Sequence, residues 1–221
     1  MSITLTTGST MSIAKTYSPA LGSAGTTITA ISNTSPASVT ATHSLSAGDY
    51  VLINSSWGLL DHRVCRVQGV TGTTAFTLEG VDTSDIGKYP ATTGVPATFR
   101  KVATWSQLSQ VKGVSASGGA QQFADITSIT DTVKRQIPTI KDAVAMTIDV
   151  YDDPTLSWYA DVSAADDARS PYALKMDFAN GSKLVANAYW SILDVPTMAQ
   201  NEALMTQISL SYAAEPIRYS T

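Results

Sequence analysis

The sequence predicts a mainly β protein with one α-helix and an inserted small β-barrel. Short runs rich in Thr, Val and Ile recur along the chain and are separated by Gly, Asn, Asp and Pro, which is typical of strands joined by tight turns. In the C-terminal half, apolar and polar residues alternate, as a strand with one buried face requires. Charged residues make up only 14% of the 221 residues, a low charge density that suits surfaces covered by other subunits.

The first β-rich region lies between Thr26 and Phe99. Its candidate strands are 26–32, 37–42, 49–54, 63–71 and 73–79. Five short strands in about 55 residues predict a small barrel or sandwich. Residues 38–53, which read SVTATHSLSAGDYVLI, resemble small β-barrel modules that recur as insertions in phage structural proteins and in a half-domain of ubiquitin-activating enzymes.

The remaining chain behaves as a second, larger β unit. Its alternating runs are 108–117, 143–151, 172–178, 183–192 and 204–212. Between two of these runs, Asn180 and Gly181 form the pair that favours a type I′ hairpin turn.

One helix is predicted to interrupt these strands. Asp152 and Asp153 are candidate helix N-cap residues, Pro154 suits the first helical position, and Pro171 ends the helix. The residues that follow the cap at helical spacing are Leu156, Tyr159, Ala160 and Ser163.

No coherent catalytic set is found in the sequence. Residues 113–118 approach a Gly-x-Ser-x-Gly pattern around Ser115, but the last Gly is displaced, and His43 and His62 both lie in the other unit. The pairs Asp152-Asp153 and Asp166-Asp167 could serve glycoside hydrolysis or calcium binding. Helix capping by the first pair, and contact of the second with cations of a neighbouring subunit, are the simpler interpretations. We therefore predict no enzyme activity, no cofactor and no metal.

The charge pattern argues against specific binding of nucleic acid. The net charge is −4, the pI is about 5.0, and the largest cationic clusters are the pairs Arg100-Lys101 and Lys134-Arg135. Affinity for nucleic acid depends mainly on contacts between cations and phosphates, so such a surface suits a channel wall that DNA slides past. The single cysteine, Cys65, is expected to be a buried strand residue. No signal peptide or membrane span is predicted, so synthesis in the cytosol is expected.

From about Phe99 onward the sequence resembles the tail tube family of lambda-like, long non-contractile-tailed phages (siphoviruses). The motifs that carry this resemblance are ATWSQL at 103–108 with GVS at 113–115, KRQIPT at 134–139, DDPTLSWY at 152–159, DDAR at 166–169, PTM at 196–198 and EP at 215–216. They occur in order over roughly half the chain. The inserted region departs from the plainest members of the family.

The resemblance implies a two-sheet β-sandwich or barrel with one flanking helix. It also implies a structural subunit that forms hexameric rings stacked into a tube, through which viral DNA passes without specific binding. The implied partners are other copies of the chain, the tail tip, the tail terminator and the tape measure protein, with no membrane. The implied location is the virion tail, after assembly in the host bacterial cytoplasm. A virion decoration module, or an accessory module that binds a partner or glycan through the small barrel, stays open as an alternative.

We predict three parts of the chain. Residues 1–25 would be an N-terminal arm or strand of the tube domain, residues 26–98 an exterior module, and residues 99–221 the tail-tube core.

Residues 125–141 are predicted to join one ring to the next, because they are longer than a normal hairpin loop and apolar. The predicted contact residues are Ile126, Ile129, Asp131, Val133, Lys134, Arg135, Ile137 and Ile140. We expect this segment to be mobile in the monomer and to order on stacking. The alternative is a hairpin folded onto its own domain.

Overall fold

The computed structural model describes residues 7–90, 96–198 and 200–220, and within these residues it is mainly β with one helix. The mainly β class is confirmed. Residues 1–6 of the predicted arm lie outside the described residues, and residues 10–18 of the arm form a strand. The strands before residue 97 are β1 Thr10–Ser18, β2 Thr26–Ile28, β3 Ala30–Ile31, β4 Ala37–Thr40, β5 Tyr50–Ser55, β6 Arg63–Thr71 and β7 Ala75–Leu78. The later elements are β8 Ala97–Leu108, β9 Val111–Ser117, β10 Gln121–Asp125, β11 Gln136–Lys141, β12 Ala145–Tyr151, α1 Ser157–Ala168, β13 Tyr172–Asp177, β14 Lys183–Ile192, β15 Met205–Tyr212 and β16 Ile217–Tyr219.

Fourteen of the strands in the described ranges form one antiparallel sheet. Its main path runs β3-β4-β7-β6-β5-β8-β1-β13-β14-β15-β12-β9, with β16 paired to β14 and β2 paired to β8. The two ends of this path, β3 and β9, are not paired with each other, so the described strands do not close into a barrel. The other two strands, β10 and β11, pair only with each other.

Strand β8 is shared by the two β-rich regions. Its first half, Ala97 to Lys101, pairs with β5, while its second half, Lys101 to Leu108, pairs with β1. The predicted boundary at residues 98 and 99 therefore falls inside one continuous strand. The division into three parts stays a prediction.

The first hydrophobic core also joins the two regions. It contains most of the buried residues of β2 to β8, among them Phe76 and Leu78, together with Val185 of β14 and Ile217 and Tyr219 of β16. Cys65, near the start of β6, is completely buried here, and burial raises the pKa of its thiol to about 12. The cysteine is thus an ordinary core residue, as the sequence predicts.

The second core lies under the helix. It is formed by β1, β12, β14 and β15, with Ile13, Ile148 and Ile208 fully buried. The helix contributes Trp158, Val162 and Ala165, and the indole N–H of Trp158 donates to Ser109 Oγ at 3.1 Å. Of the residues that the sequence places at helical spacing, Leu156 and Tyr159 are partly buried against this core, whereas Ala160 is exposed. The fully buried residues of the helix are instead Trp158, Val162 and Ala165.

The start of the helix also differs from the prediction. Leu156 is the N-cap residue and no side chain caps the helix, so Asp152 and Asp153 do not occupy that position. The Asp153 carboxylate instead accepts hydrogen bonds from the hydroxyl and the backbone N–H of Thr155, which lower its pKa. Asp153 therefore closes a turn just before the helix, and this competes with capping.

The turn between β13 and β14 also differs from the type I′ turn predicted from the sequence. In the described residues Gly181 has a φ of 81°, whereas Asn180 does not adopt a positive φ as a type I′ turn needs. The N–H of Gly181 donates to the carbonyl of Phe178 at 2.8 Å. This matches a type I turn followed by a left-handed glycine.

Candidate assembly interface

The hairpin formed by β10 and β11, with residues 126–135 between them, is the most exposed part of the described chain. Its strands pair antiparallel, with Ala124 opposite Ile137, and neither pairs with the main sheet. Ile129 is completely exposed, and Val133 and Ile140 are more than two-thirds exposed. The large apolar residues exposed on this hairpin are Phe123, Ile126, Ile129, Val133, Ile137 and Ile140. We call these six side chains the hairpin surface.

Hydrogen bonds order the tip of the hairpin. The Asp125 carboxylate accepts the backbone N–H of Thr127 at 2.8 Å and its hydroxyl at 2.5 Å, and these bonds lower the Asp125 pKa. The N–H of Arg135 donates to Thr127 Oγ1 at 3.0 Å, and the N–H of Ile126 donates to the Arg135 carbonyl at 3.0 Å. The long loop expected from the sequence is therefore a hairpin. Since its large apolar side chains lie in solvent, it is not folded onto its own domain.

The base of the hairpin depends on two glycines. Gly118 and Gly119 have φ angles of 81° and 75°, and a Cβ on Gly118 would lie 2.0 Å from the carbonyl oxygen of Ala143. A side chain at Gly118 would therefore push the two chain segments apart. On the other side of the base, Lys141 Nζ lies 3.0 Å from Glu215 Oε1. The base of the hairpin thus lies beside the segment that follows β15.

The predicted contact residues are brought together on this hairpin. Lys134 and Arg135 are exposed and form no ion pair with described residues. Asp131 is partly buried, and its carboxylate accepts the N–H of Ser128 at 3.0 Å. Phe123 was not among the sequence-predicted residues. Its neighbours are Gln122 and Ala124, so no alternating pattern marks it in the sequence, and only the pairing of β10 with β11 places it on the hairpin.

The second cationic pair of the sequence is used inside the fold. Arg100 is buried, and its guanidinium donates to the backbone carbonyls of Ala20 and Ser23. Lys101 Nζ lies 2.6 Å from the Asp49 carboxylate. Of the two pairs, only Lys134-Arg135 is therefore available to a partner.

A charged and aromatic cluster lies between the first β-rich region and the rest of the sheet. Arg66 forms an ion pair with Glu79 and stacks over the ring of Tyr219, whose hydroxyl accepts the backbone N–H of Arg66 at 2.7 Å. Nearby, the Asp177 carboxylate accepts from both Lys175 and Lys183. Burial opposes ionisation of Asp177, but the two lysines outweigh it and lower its pKa.

The candidate catalytic residues are not assembled into a site. Ser115 lies in β9 opposite Thr147 of β12. His43 is buried against Phe76, with one ring nitrogen 3.0 Å from the Ala75 carbonyl and the other accepting the N–H of Leu45. Both nitrogens of His43 are thus occupied by the backbone.

The paired acids also have local partners. Asp166 accepts the backbone N–H of Ile192 at 3.0 Å, so it holds the end of β14 to the helix and is not free for a neighbouring subunit. Asp167 is exposed. In the described residues no group of three or more His, Cys, Asp or Glu side chains is placed to hold a metal ion.

Two further observations concern surfaces. No helix in the described ranges is long and apolar enough to cross a membrane. Strand β9 forms the end of the sheet path, and its residues from Ser115 to Ser117 are exposed. An open edge of this kind offers unpaired backbone groups to another chain.

Comparison with known proteins identifies one family. The family model described as phage tail tube protein matches residues 55–221, which is more than half of the chain. No curated protein matches this chain.

Two solved structures match part of the chain at low similarity. The first is a cryo-EM structure of the anti-feeding prophage cap, the tube terminating cap, with 18% identity and a TM-score of 0.40 over 52% of this chain and 83% of that chain. The second is a cryo-EM structure of the anti-feeding prophage baseplate, with 8% identity and a TM-score of 0.40 over 54% of this chain and 86% of that chain. At this level they say nothing about function.

Proposed function

Since this chain belongs to the phage tail tube protein family, we propose that it polymerises into stacked hexameric rings around a lumen that conducts DNA during ejection. The family makes it a structural subunit of a phage tail. In this proposal the rings form in the host bacterial cytoplasm. The tail tip, the terminator and the tape measure protein are its other partners, and it turns over no substrate.

The observation that carries the proposal is the hairpin surface. Burying an exposed Ile, Val or Phe side chain fully is worth about 1.5–3 kcal/mol. An exposed apolar group of this size on an ordered hairpin is a recognised sign of an interaction surface. The hairpin is already hydrogen-bonded at its tip and base, so less conformational entropy is lost when it docks. We therefore place the contact between stacked rings at this hairpin.

The charges fit a DNA conduit. The net charge is −4, and of the two cationic pairs only Lys134-Arg135 is free. We assign that pair to contacts between rings, so the lumen wall carries no cationic cluster. Assembled tubes should therefore bind DNA no more tightly than about micromolar at physiological salt.

We place residues 26–98 on the outside of the tube. The hairpin connects β9 to β12 at one end of the sheet path, whereas the strands of residues 26–78 lie at the other end. A region of this size would obstruct the lumen if it pointed inward. In this arrangement it serves as the outer layer of each ring.

The test is electron microscopy of the purified protein and of a variant in which residues 126–139 are replaced by a short Gly/Ser turn. The wild type should form long hollow tubes. The variant should remain a folded monomer, because it loses most of β11 but keeps the 14-stranded sheet and both hydrophobic cores. A matched control is Ile86→Ser, which removes a large exposed apolar side chain outside the hairpin and should leave assembly unchanged.

Normal tubes from the hairpin variant would show that stacking depends on another surface. Absence of tubes from the wild type under all assembly conditions would favour the accessory module instead. Trypsin offers a second measurement, since Lys134 and Arg135 should be cut in the monomer and protected in the tube.

A further inference from the structure

A second exposed apolar surface lies on the loop between β14 and β15. Val195 and Met198 are about 69% and 76% exposed, and Leu193 and Leu204 are about half exposed. We call these four side chains the loop surface. The backbone beside them is held in place, because the N–H of Leu193 donates to the Gln207 carbonyl at 2.9 Å and the N–H of Asp152 donates to the Leu204 carbonyl at 3.0 Å. The backbone of Leu193 and of Leu204, at the two ends of the loop, is therefore hydrogen-bonded to neighbouring segments.

The sheet register places the two surfaces at opposite ends of the same strands. At one end of β12, Ala145 lies opposite Ser117 and Ser211, and the hairpin connects there. At the other end, Tyr151 lies opposite Met205, where the loop between β14 and β15 ends. Because a strand rises about 3.3 Å per residue, the two ends of β12 are about 20 Å apart.

The charges at the two ends are complementary. The hairpin carries the free cations Lys134 and Arg135, while its acids Asp125 and Asp131 are engaged in their own turns. At the loop end, Asp194 and Glu202 are exposed and form no ion pair with described residues. Asp152 also lies nearby, since burial and then the negative charges of Asp194 and Asp152 raise the pKa of Tyr159. The cation Lys112 lies close to Met205 at the same end of the sheet.

We propose that the loop surface is the acceptor for the hairpin surface of a second copy of this chain. The proposal rests on the proposed function and names the partner surface of the same contact. Apolar side chains from the two surfaces would supply the contact area, while Lys134 and Arg135 would face Asp194 and Glu202 and fix the register. Such a contact between unlike surfaces repeats without closing and grows a filament.

Charge reversal tests the pairing directly. One variant carries K134E and R135E, a second carries D194K and E202K, and a third carries all four changes. The measurement is the critical concentration for tube formation at low salt, followed by light scattering and electron microscopy. Circular dichroism checks that each variant is folded.

Each two-site variant should raise the critical concentration by about tenfold or more, because like charges then face each other. The four-site variant should return close to the wild-type value. An equimolar mixture of the two-site variants should also assemble, since each hairpin then meets a complementary loop. The control carries D85K and K88D, which exchange the charges of an exposed ion pair outside both surfaces. Its critical concentration should equal that of the wild type.

Two results would overturn the acceptor assignment: wild-type assembly by the loop variant, or failure of the four-site variant to recover. Either can occur while the hairpin variant fails to assemble, and the proposed function would then stand. If replacement of the whole hairpin also leaves tubes normal, the hairpin-based proposal itself fails.

Discussion

The region 26–90 and the β10–β11 hairpin are both additions to the central strands, and both are rich in aliphatic residues, but they use them in opposite ways. In the first, Val39, Leu78 and Phe76 are fully buried in a core that continues into β14 and β16. In the second, Ile129, Val133 and Ile140 remain in solvent. Apolar content alone therefore does not show whether a region stabilises the fold or stays exposed to a partner. The first region belongs to the 14-stranded sheet, whose other strands cover its apolar side chains, whereas β10 and β11 pair only with each other.

The largest expected effect comes from removing the first region. Joining Gly22 to Arg100 by a short linker deletes β2 to β7 and leaves β8 without the pairing that β5 provides. It also uncovers Val185, Ile217 and Tyr219. We expect an unfolded or aggregated product, measured by circular dichroism and sedimentation. A cooperative thermal transition in the shortened chain would show that the first region does not support the core.

A matched pair of alanine substitutions compares one aliphatic residue from each region. Leu78→Ala should lower the free energy of unfolding by about 2–5 kcal/mol, because it leaves a cavity in the first core. Ile129→Ala should change it by less than about 0.5 kcal/mol, since the side chain is already in solvent. Urea denaturation of monomers measures both. A large loss from Ile129→Ala would mean that the hairpin packs on its own domain.

The junction between the first region and the sheet can be tested at Tyr219. Tyr219→Phe removes the hydroxyl that accepts the Arg66 N–H, leaving that buried donor without its partner. The expected loss is about 1–2 kcal/mol in the free energy of unfolding. Tyr189→Phe is the control, because Tyr189 is nearly half exposed. Equal losses from the two changes would show that the Tyr219 hydroxyl does not stabilise the junction.

The smallest expected effect concerns acid stability. The pKa of Asp177 is lowered in the folded protein, so its contribution to stability is present above the unfolded pKa and is lost as pH falls through the folded value. Asp177→Asn should therefore be less stable than the wild type at neutral pH, and the difference should shrink toward strongly acidic pH. Thermal melting of monomers across that range measures it. A difference that is constant with pH would indicate a steric effect of the amide.

Much of the strand pattern could be predicted from the sequence. The predicted strand 63–71 coincides with β6, and 183–192 coincides with β14, because turn residues and alternation mark both. Strand β8 was not found upstream of Leu108. Arg100 and Lys101 interrupt its apolar pattern, and the partners of Arg100 are carbonyls some 80 residues earlier, which no local pattern can show.

The candidate site was predicted in part. Its position at 125–141 and its aliphatic residues follow from length and composition, whereas the hairpin pairing and Phe123 require the register of β10 and β11. The loop surface was missed, because Leu193 and Val195 look like ordinary loop residues and Leu204 falls in the predicted strand 204–212. Only the register of β12 with β15 shows that they lie at the end of these strands that is far from the hairpin.

Strand β8 has a mechanical consequence. It is twelve residues long, and its hydrogen bonds to β5 and to β1 lie in series along one backbone. A load applied to the first β-rich region is transmitted through that backbone to the central strands, with no hinge in between. Bending of a polymer built from this subunit would therefore be concentrated at contacts between copies rather than within each copy.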